Sequence, residues 1–175
     1  VLRCVRTMCE GMPEFQTHKT LDGLPGLVDL ERYCYFVAGI VGEMLTDLFC
    51  EHCPELARHR KEMMALSVCF GQGLQMTNIL KDIWEDRDAN TCWLPRSMFR
   101  DLEGGLSRAM RDRDSSAMTG GIGQLVGIAH AHLRAALRYT PCGRQRAPRA
   151  AATPSPSLPP RPACRSVRPR SLAQH

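Results

Sequence analysis

Strand-like alternation of apolar and polar residues is weak or absent along this sequence, which excludes sheet-based folds. No uninterrupted apolar run reaches the roughly 18–20 residues of a membrane-spanning helix. No secretory signal stands at the front, where Arg3, Arg6 and Glu10 interrupt the apolar residues. A Gly-rich dinucleotide fingerprint is absent too. Acidic residues are missing from positions 141–175, which hold seven arginines (Arg144, Arg146, Arg149, Arg161, Arg165, Arg168 and Arg170). The whole chain is +5, so residues 1–140 carry about −2 and lack the basic surplus of a nucleic-acid binder.

What is present is a helical body. Leu30 to Phe49 is an apolar-rich run of helix length, entered after Pro25 and Gly26, with Ala38, Gly39 and Gly42 small enough for close approach. Residues 56–89 form a second long stretch, one or two helices, with apolar residues three and four apart, ended by Trp93-Leu94-Pro95. A short polar helix is expected over 97–114. A break follows at Gly120, Gly121 and Gly123, then a further helix from Gln124 to Tyr139. At Pro141 the composition changes: eight of the twelve prolines fall in the last 35 residues, mixed with Arg, Ala and Ser. Such a segment buries too little apolar surface to repay its ordering entropy, so a disordered tail is expected over 141–175, either natural or an out-of-frame translation. The nine cysteines are odd in number and irregular in spacing. Cys34, Cys69 and Cys92 sit in apolar stretches as small hydrophobes, which suits a reducing cytoplasm.

The chemistry concentrates in Phe70 to Asp86. Gln75, Asn78, Asp82 and Asp86 are three, four and four residues apart, which at 3.6 residues per turn draws one polar stripe. Leu74, Ile79, Leu80 and Ile83 lie beside it. Two carboxylates one turn apart, extended by an amide oxygen, are hard ligands of the kind Mg²⁺ shares with substrate phosphates. The inferred role is diphosphate binding and leaving-group stabilisation. The competing account is a surface helix whose acids pair with Lys81 and Arg87. On the first long helix, Tyr33, Val37, Val41 and Leu45 follow at four-residue steps, which places them on one helical face as an ordinary core stripe.

These residues resemble the squalene/phytoene synthase family. Gln75 to Asp86 is similar to its second aspartate-rich motif, Q-x-x-N-I-x-[RK]-D-x-x-E-D, and Trp93-Leu94-Pro95 to the aromatic and proline that follow it. Tyr33 to Gly42 resembles its Y-C-x-x-V-A-G-x-V-G signature. The resemblance covers residues 1–140 and implies a partial all-α bundle of the isoprenoid-synthase type. It implies head-to-head condensation of two prenyl diphosphates with Mg²⁺, farnesyl diphosphate being the expected substrate. By carry-over, Asn78, Asp82 and Asp86 hold the metal. Tyr33, Asp82 and Asp86 are catalytic, and Val37, Val41, Leu45, Gln75, Asn78, Lys81 and Arg87 contact substrate. The stretch from Asp82 to Pro95 looks closest to bacterial squalene synthases, a product that needs NADPH; phytoene or dehydrosqualene needs none. A monomer is expected, cytoplasmic, peripheral to the inner membrane face where product is released, and without nucleic-acid partners.

The family's first motif, D-x-x-x-D, does not occur in residues 1–32, where Asp22 and Asp29 are seven apart. The expectation is therefore a piece of a longer parent, incomplete as a catalyst by itself. Thr91 stands where many members place an arginine, and Arg87 or Lys81 is the expected substitute. Two accounts of other classes compete. Cys50-Glu51-His52-Cys53 with His59 lacks the second ligand pair of a structural zinc site. An arginine-tail RNA or membrane binder would have no aromatic residue in its tail for base stacking.

Overall fold

The computed structural model describes residues 1–139; the tail expected over 141–175 lies outside the described residues. These residues are all-α, with one isolated backbone bridge between Leu24 and Pro95. Two short helices open the chain, α1 (Leu2–Gly11) and α2 (Pro13–Gln16). In α1, Cys4 and Gly11 are buried at helical spacing. Arg32 grips both carboxylate oxygens of Glu14, tying α2 to the next helix.

That helix runs without interruption from Leu27 to His52. Its first part, α3 (Leu27–Cys34), starts where the Asp29 carboxylate accepts the Gly26 N–H at 2.9 Å, so Asp29 serves as a cap. A five-residue π turn, Tyr35–Gly39, leads into α4 (Ile40–His52). Among the described residues this is the one helix long and apolar enough to cross a membrane. It carries Glu31, Arg32, Glu43 and Asp47, and it packs along α6, as a core helix does.

After the single turn α5 (Pro54–Ala57), α6 (Arg60–Lys81) forms the axis, packed on the π turn and α4 on one side and on α9 on the other. Gln72 is buried and donates its amide N–H to the Glu31 carbonyl at 3.0 Å, locking α6 to α3 across the interior. A short helix, α7 (Ile83–Asp88), continues beyond Asp82. The polar helix expected over 97–114 is a single 3₁₀ turn, Arg96–Met98, followed by α8 (Gly105–Asp112).

The glycine break expected at 120–123 is corrected: α9 (Ser115–Ala136) passes straight through it. Asp114 caps this helix by accepting the Ala117 N–H at 3.0 Å. A Cβ on Gly121 would lie 2.3 Å from the Phe99 ring, so this glycine admits an aromatic against the backbone. Each helical glycine costs about 1 kcal/mol relative to alanine, which packing of this kind offsets.

Candidate active site

The expected polar stripe spans the junction of α6 and α7. The helix is not continuous there: Asp82 sits at φ −98°, ψ 16°, between the two. The hydrogen bonds nevertheless carry across it, with Asp82 N–H donating to the Asn78 carbonyl at 2.8 Å and Asp86 N–H to the Asp82 carbonyl at 2.9 Å. Asp82 and Asp86 therefore remain one turn apart on the same side. Asn78 is exposed, while Gln75 and both aspartates are half-buried.

Charge in this corner is only partly compensated. Among the described residues Asp86 and Glu85 form no ion pair, so the surface charge-pair account fails for them. Lys81 pairs with its neighbour Asp82 at 3.3 Å and is otherwise exposed. Burial, and then the charges of Asp82 and Glu85, hold the Asp86 carboxyl above its ordinary range, while Lys19 acts the other way. A raised carboxyl favours the protonated folded state, so its benefit is complete at low pH and is lost as pH rises through the folded value. Asp86→Asn is therefore expected to raise the melting temperature at pH 7. The gain should vanish below the ordinary carboxyl value of 3.8. Thermal unfolding of both proteins from pH 3 to 7.5 measures it.

A second wall comes from α3. The Tyr33 ring is buried, stacked on Trp93 with centroids 4.0 Å apart and planes 8° apart, and met edge-on by Phe15 at 5.2 Å. Burial pushes the phenol up to about 12; Cys34 and Asp86 add to this, and hydrogen bonding by the Gln75 side chain opposes it. Tyr33 is therefore a protonated phenol at any ordinary pH, held between α6 and the loop after α7. Cys34 and Cys92 are buried free thiols pushed up by their burial, Cys92 to about 11, which leaves them inert as nucleophiles.

The apolar stripe after Tyr33 fades outward: Val37 and Val41 are half-buried, and Leu45 is 42% exposed. Four-residue steps drift about 40° each on a 3.6-residue helix, so the fourth member has turned out of the interior. Thr91 is buried, its hydroxyl donating to the Ala89 carbonyl at 3.4 Å. Arg87 reaches neither aspartate. Its guanidinium donates to the Met110 and Arg111 carbonyls at the end of α8, at 3.2 and 2.8 Å, and to Asp88. Arg87→Ala is expected to cost about 1–2 kcal/mol of stability in urea unfolding, with Lys a poor replacement for the planar fork. Pyrophosphate binding should hold in that variant.

Lys19 and His18 belong to this corner and carried no sequence signal; they lie in an aperiodic loop and arrive by long-range contact. The Cys50-Cys53 segment gathers no metal site, since no group of three His, Cys, Asp or Glu side chains among the described residues is placed to hold an ion. That holds for the aspartates as well. They present two carboxylates and an exposed amide, a set that suits Mg²⁺ only in its usual manner, with water and substrate phosphates completing the shell. The repulsion felt by Asp86 marks the place as short of positive charge.

The family model of squalene/phytoene synthases matches residues 1–157, running past the boundary drawn at 140. A squalene synthase of Gibberella zeae is 37% identical over 97 residues, 54% of this chain and 21% of that protein. One from Phoma sp. is 38% identical over 97 residues, 54% of this chain and 22% of that protein. A phytoene synthase of Thermus thermophilus is 40% identical over 72 residues, 41% of this chain and 22% of that protein. The matched stretch thus spans about a fifth of the length of these curated relatives. The squalene synthases here are fungal and the bacterial relative is a phytoene synthase, which corrects the expected likeness to bacterial squalene synthases. That likeness rested on one short stretch, Asp82 to Pro95, too brief to separate the two. With its two signatures in order on adjoining helices and a match over most of its length, the chain belongs to the squalene/phytoene synthase family.

Proposed function

We propose that this chain carries one diphosphate-binding wall of a head-to-head prenyltransferase, which joins two farnesyl diphosphates into presqualene diphosphate and then squalene. The observation that carries the reading is the pair Asp82 and Asp86, set one turn apart beside the buried phenol of Tyr33, with the neighbouring Lys81 on the first and no ion pair among the described residues on the second. Mg²⁺, when bound, neutralises the diphosphate and makes it a leaving group; Asp82, Asp86 and the Asn78 amide oxygen are the residues that would hold it. Lys81, exposed and beside Asp82, is free to swing toward a phosphate oxygen. Gln75 orients the Tyr33 phenol, which stays protonated and so donates a hydrogen bond or passes on a proton rather than taking one. Val37 and Val41 flank the prenyl chain, and Leu45 lies at its outer end.

The likeness to a phytoene synthase supports a second reading, phytoene or dehydrosqualene as product, with no reductant. A squalene product would need NADPH as reductant. The apolar product and the substrate's prenyl tail favour work at a membrane surface. Calorimetric titration with inorganic pyrophosphate tests the first claim: binding should require Mg²⁺. Binding of equal strength with Mg²⁺ and with EDTA would remove the basis of the reading. Product analysis after incubating the parent enzyme with farnesyl diphosphate, with and without NADPH, separates the two products.

A further inference from the structure

We infer that His18 and Trp93 are positioning residues for the Tyr33 phenol, which rests on the reading above only in assigning Tyr33 its role. Tyr33 lies on a helix, but the ring that fixes its plane does not. Trp93 sits in the loop after α7, and a loop side chain faces a helix only if its backbone is tethered. Four hydrogen bonds do this by stitching the loop to residues 18–24. Leu24 N–H donates to the Leu94 carbonyl at 2.9 Å, and Arg96 N–H returns to the Leu24 carbonyl at 2.9 Å. The Asn90 amide donates to the Lys19 carbonyl at 3.2 Å. His18 Nε2 lies 2.8 Å from the Cys92 carbonyl. A carbonyl can only accept, so this bond requires a proton on Nε2.

Of these tethers, His18 alone acts on Trp93 twice. It holds the carbonyl of the peptide bond joining Cys92 to Trp93, and its ring lies on the indole, centroids 5.0 Å apart and planes 30° apart. His18, Trp93, Tyr33 and Phe15 thus form a single column of rings. Tyr33 cannot tilt without sweeping into Trp93 or Phe15, so its hydroxyl keeps one direction, toward Gln75. Remove His18 and the outer end of the column opens: the indole gains a free face, and its peptide loses its partner. Stacked aromatic pairs are worth about 0.5–1.5 kcal/mol beyond their buried area, enough to hold one orientation and too little to survive loss of the tether unchanged.

The full chain labelled with 3-fluorotyrosine reads the column directly, since a ring stacked on an indole has its fluorine resonance displaced upfield. Three tyrosines give three signals, and Tyr33→Phe assigns the one in question. Trp93→Leu, which keeps apolar volume, should carry that signal back toward the exposed position. His18→Ala should shift it part of the way and broaden it, while His18→Gln, which retains the N–H donor, should restore most of the shift. Far-UV circular dichroism confirms that each variant is folded. A Tyr33 signal unmoved in folded His18→Ala or Trp93→Leu overturns the inference. Titration with Mg²⁺ and pyrophosphate on the same samples should give the wild-type dissociation constant for His18→Ala; a weakened one would make His18 a diphosphate ligand and overturn the positioning role. If the unaltered chain fails to bind pyrophosphate, the proposed function falls, and the fluorine shift still decides this inference. In the parent enzyme the expected signature is a fall in kcat at constant KM.

Discussion

Asp82→Asn and Asp86→Asn are each expected to lower turnover of a prenyl diphosphate by the parent enzyme at least about 10²-fold, the scale of removing one electrostatic contact to a developing charge. The same variants should lose Mg²⁺-dependent pyrophosphate binding by this chain. Asparagine keeps the shape of aspartate and removes only the charge, so the comparison isolates what the metal needs. Packing suffers little, because both side chains are only half-buried and Asp86 is strained by its like-charged neighbours. The result should therefore be a protein at least as stable as the original and poorer at its task. That opposite movement sets a binding carboxylate apart from a structural one, whose loss would lower both. Asn78→Ala removes a neutral ligand, and neutral contacts are roughly half as strong, so a loss of about tenfold is expected. Initial rates across a Mg²⁺ series, beside calorimetry, check all three. Normal turnover in either aspartate variant would end the metal-site assignment.

The aspartate wall was readable because it is local. Polar residues three, four and four apart on an otherwise apolar helix need no tertiary contact to be recognised, and the Asp82 kink leaves their register intact. The long helix from Leu27 was readable for the same reason, to within three residues at either end. The π turn inside it was not. It accompanies the α6 backbone pressing on Ala38 and Gly39, an encounter between residues some thirty positions apart. Lys19 and His18 were invisible for a similar cause: they lie in an aperiodic loop and act on residues more than sixty positions later. The glycines of α9 mislead because helix propensity takes no account of Phe99, the ring that makes one of them useful. Leu45 misled in the other direction, since a four-residue step mimics a straight stripe only over two or three members.

Gly71→Ala is expected to cost about 1–3 kcal/mol and to disturb the site without touching it. A Cβ at Gly71 would stand 2.4 Å from the Ala38 carbonyl oxygen and 2.7 Å from the Gly39 nitrogen, both backbone atoms of the π turn. At Gly42 a Cβ would stand 2.5 Å from the Ser67 carbonyl oxygen. The two contacts lie one turn apart on each helix, so α6 and the long helix cross backbone to backbone, and no rotamer change can make room. The helices must separate, and with them Tyr33 must move relative to Gln75. Against this, alanine gains about 1 kcal/mol of helix propensity over glycine, so the measured loss is the overpacking less that gain. Gly71→Ala combined with Gly42→Ala should cost less than the sum, because one separation accommodates both methyls. Gly127→Ala provides the control: it lies in α9 with nothing within 4 Å of its Cβ, and should stabilise by up to about 1 kcal/mol. Urea unfolding of the unaltered chain, the three single variants and the double variant measures the set. If Gly71→Ala matches Gly127→Ala in stability, the helices are not in backbone contact, and the Tyr33 wall is not fixed to the aspartate wall by this crossing.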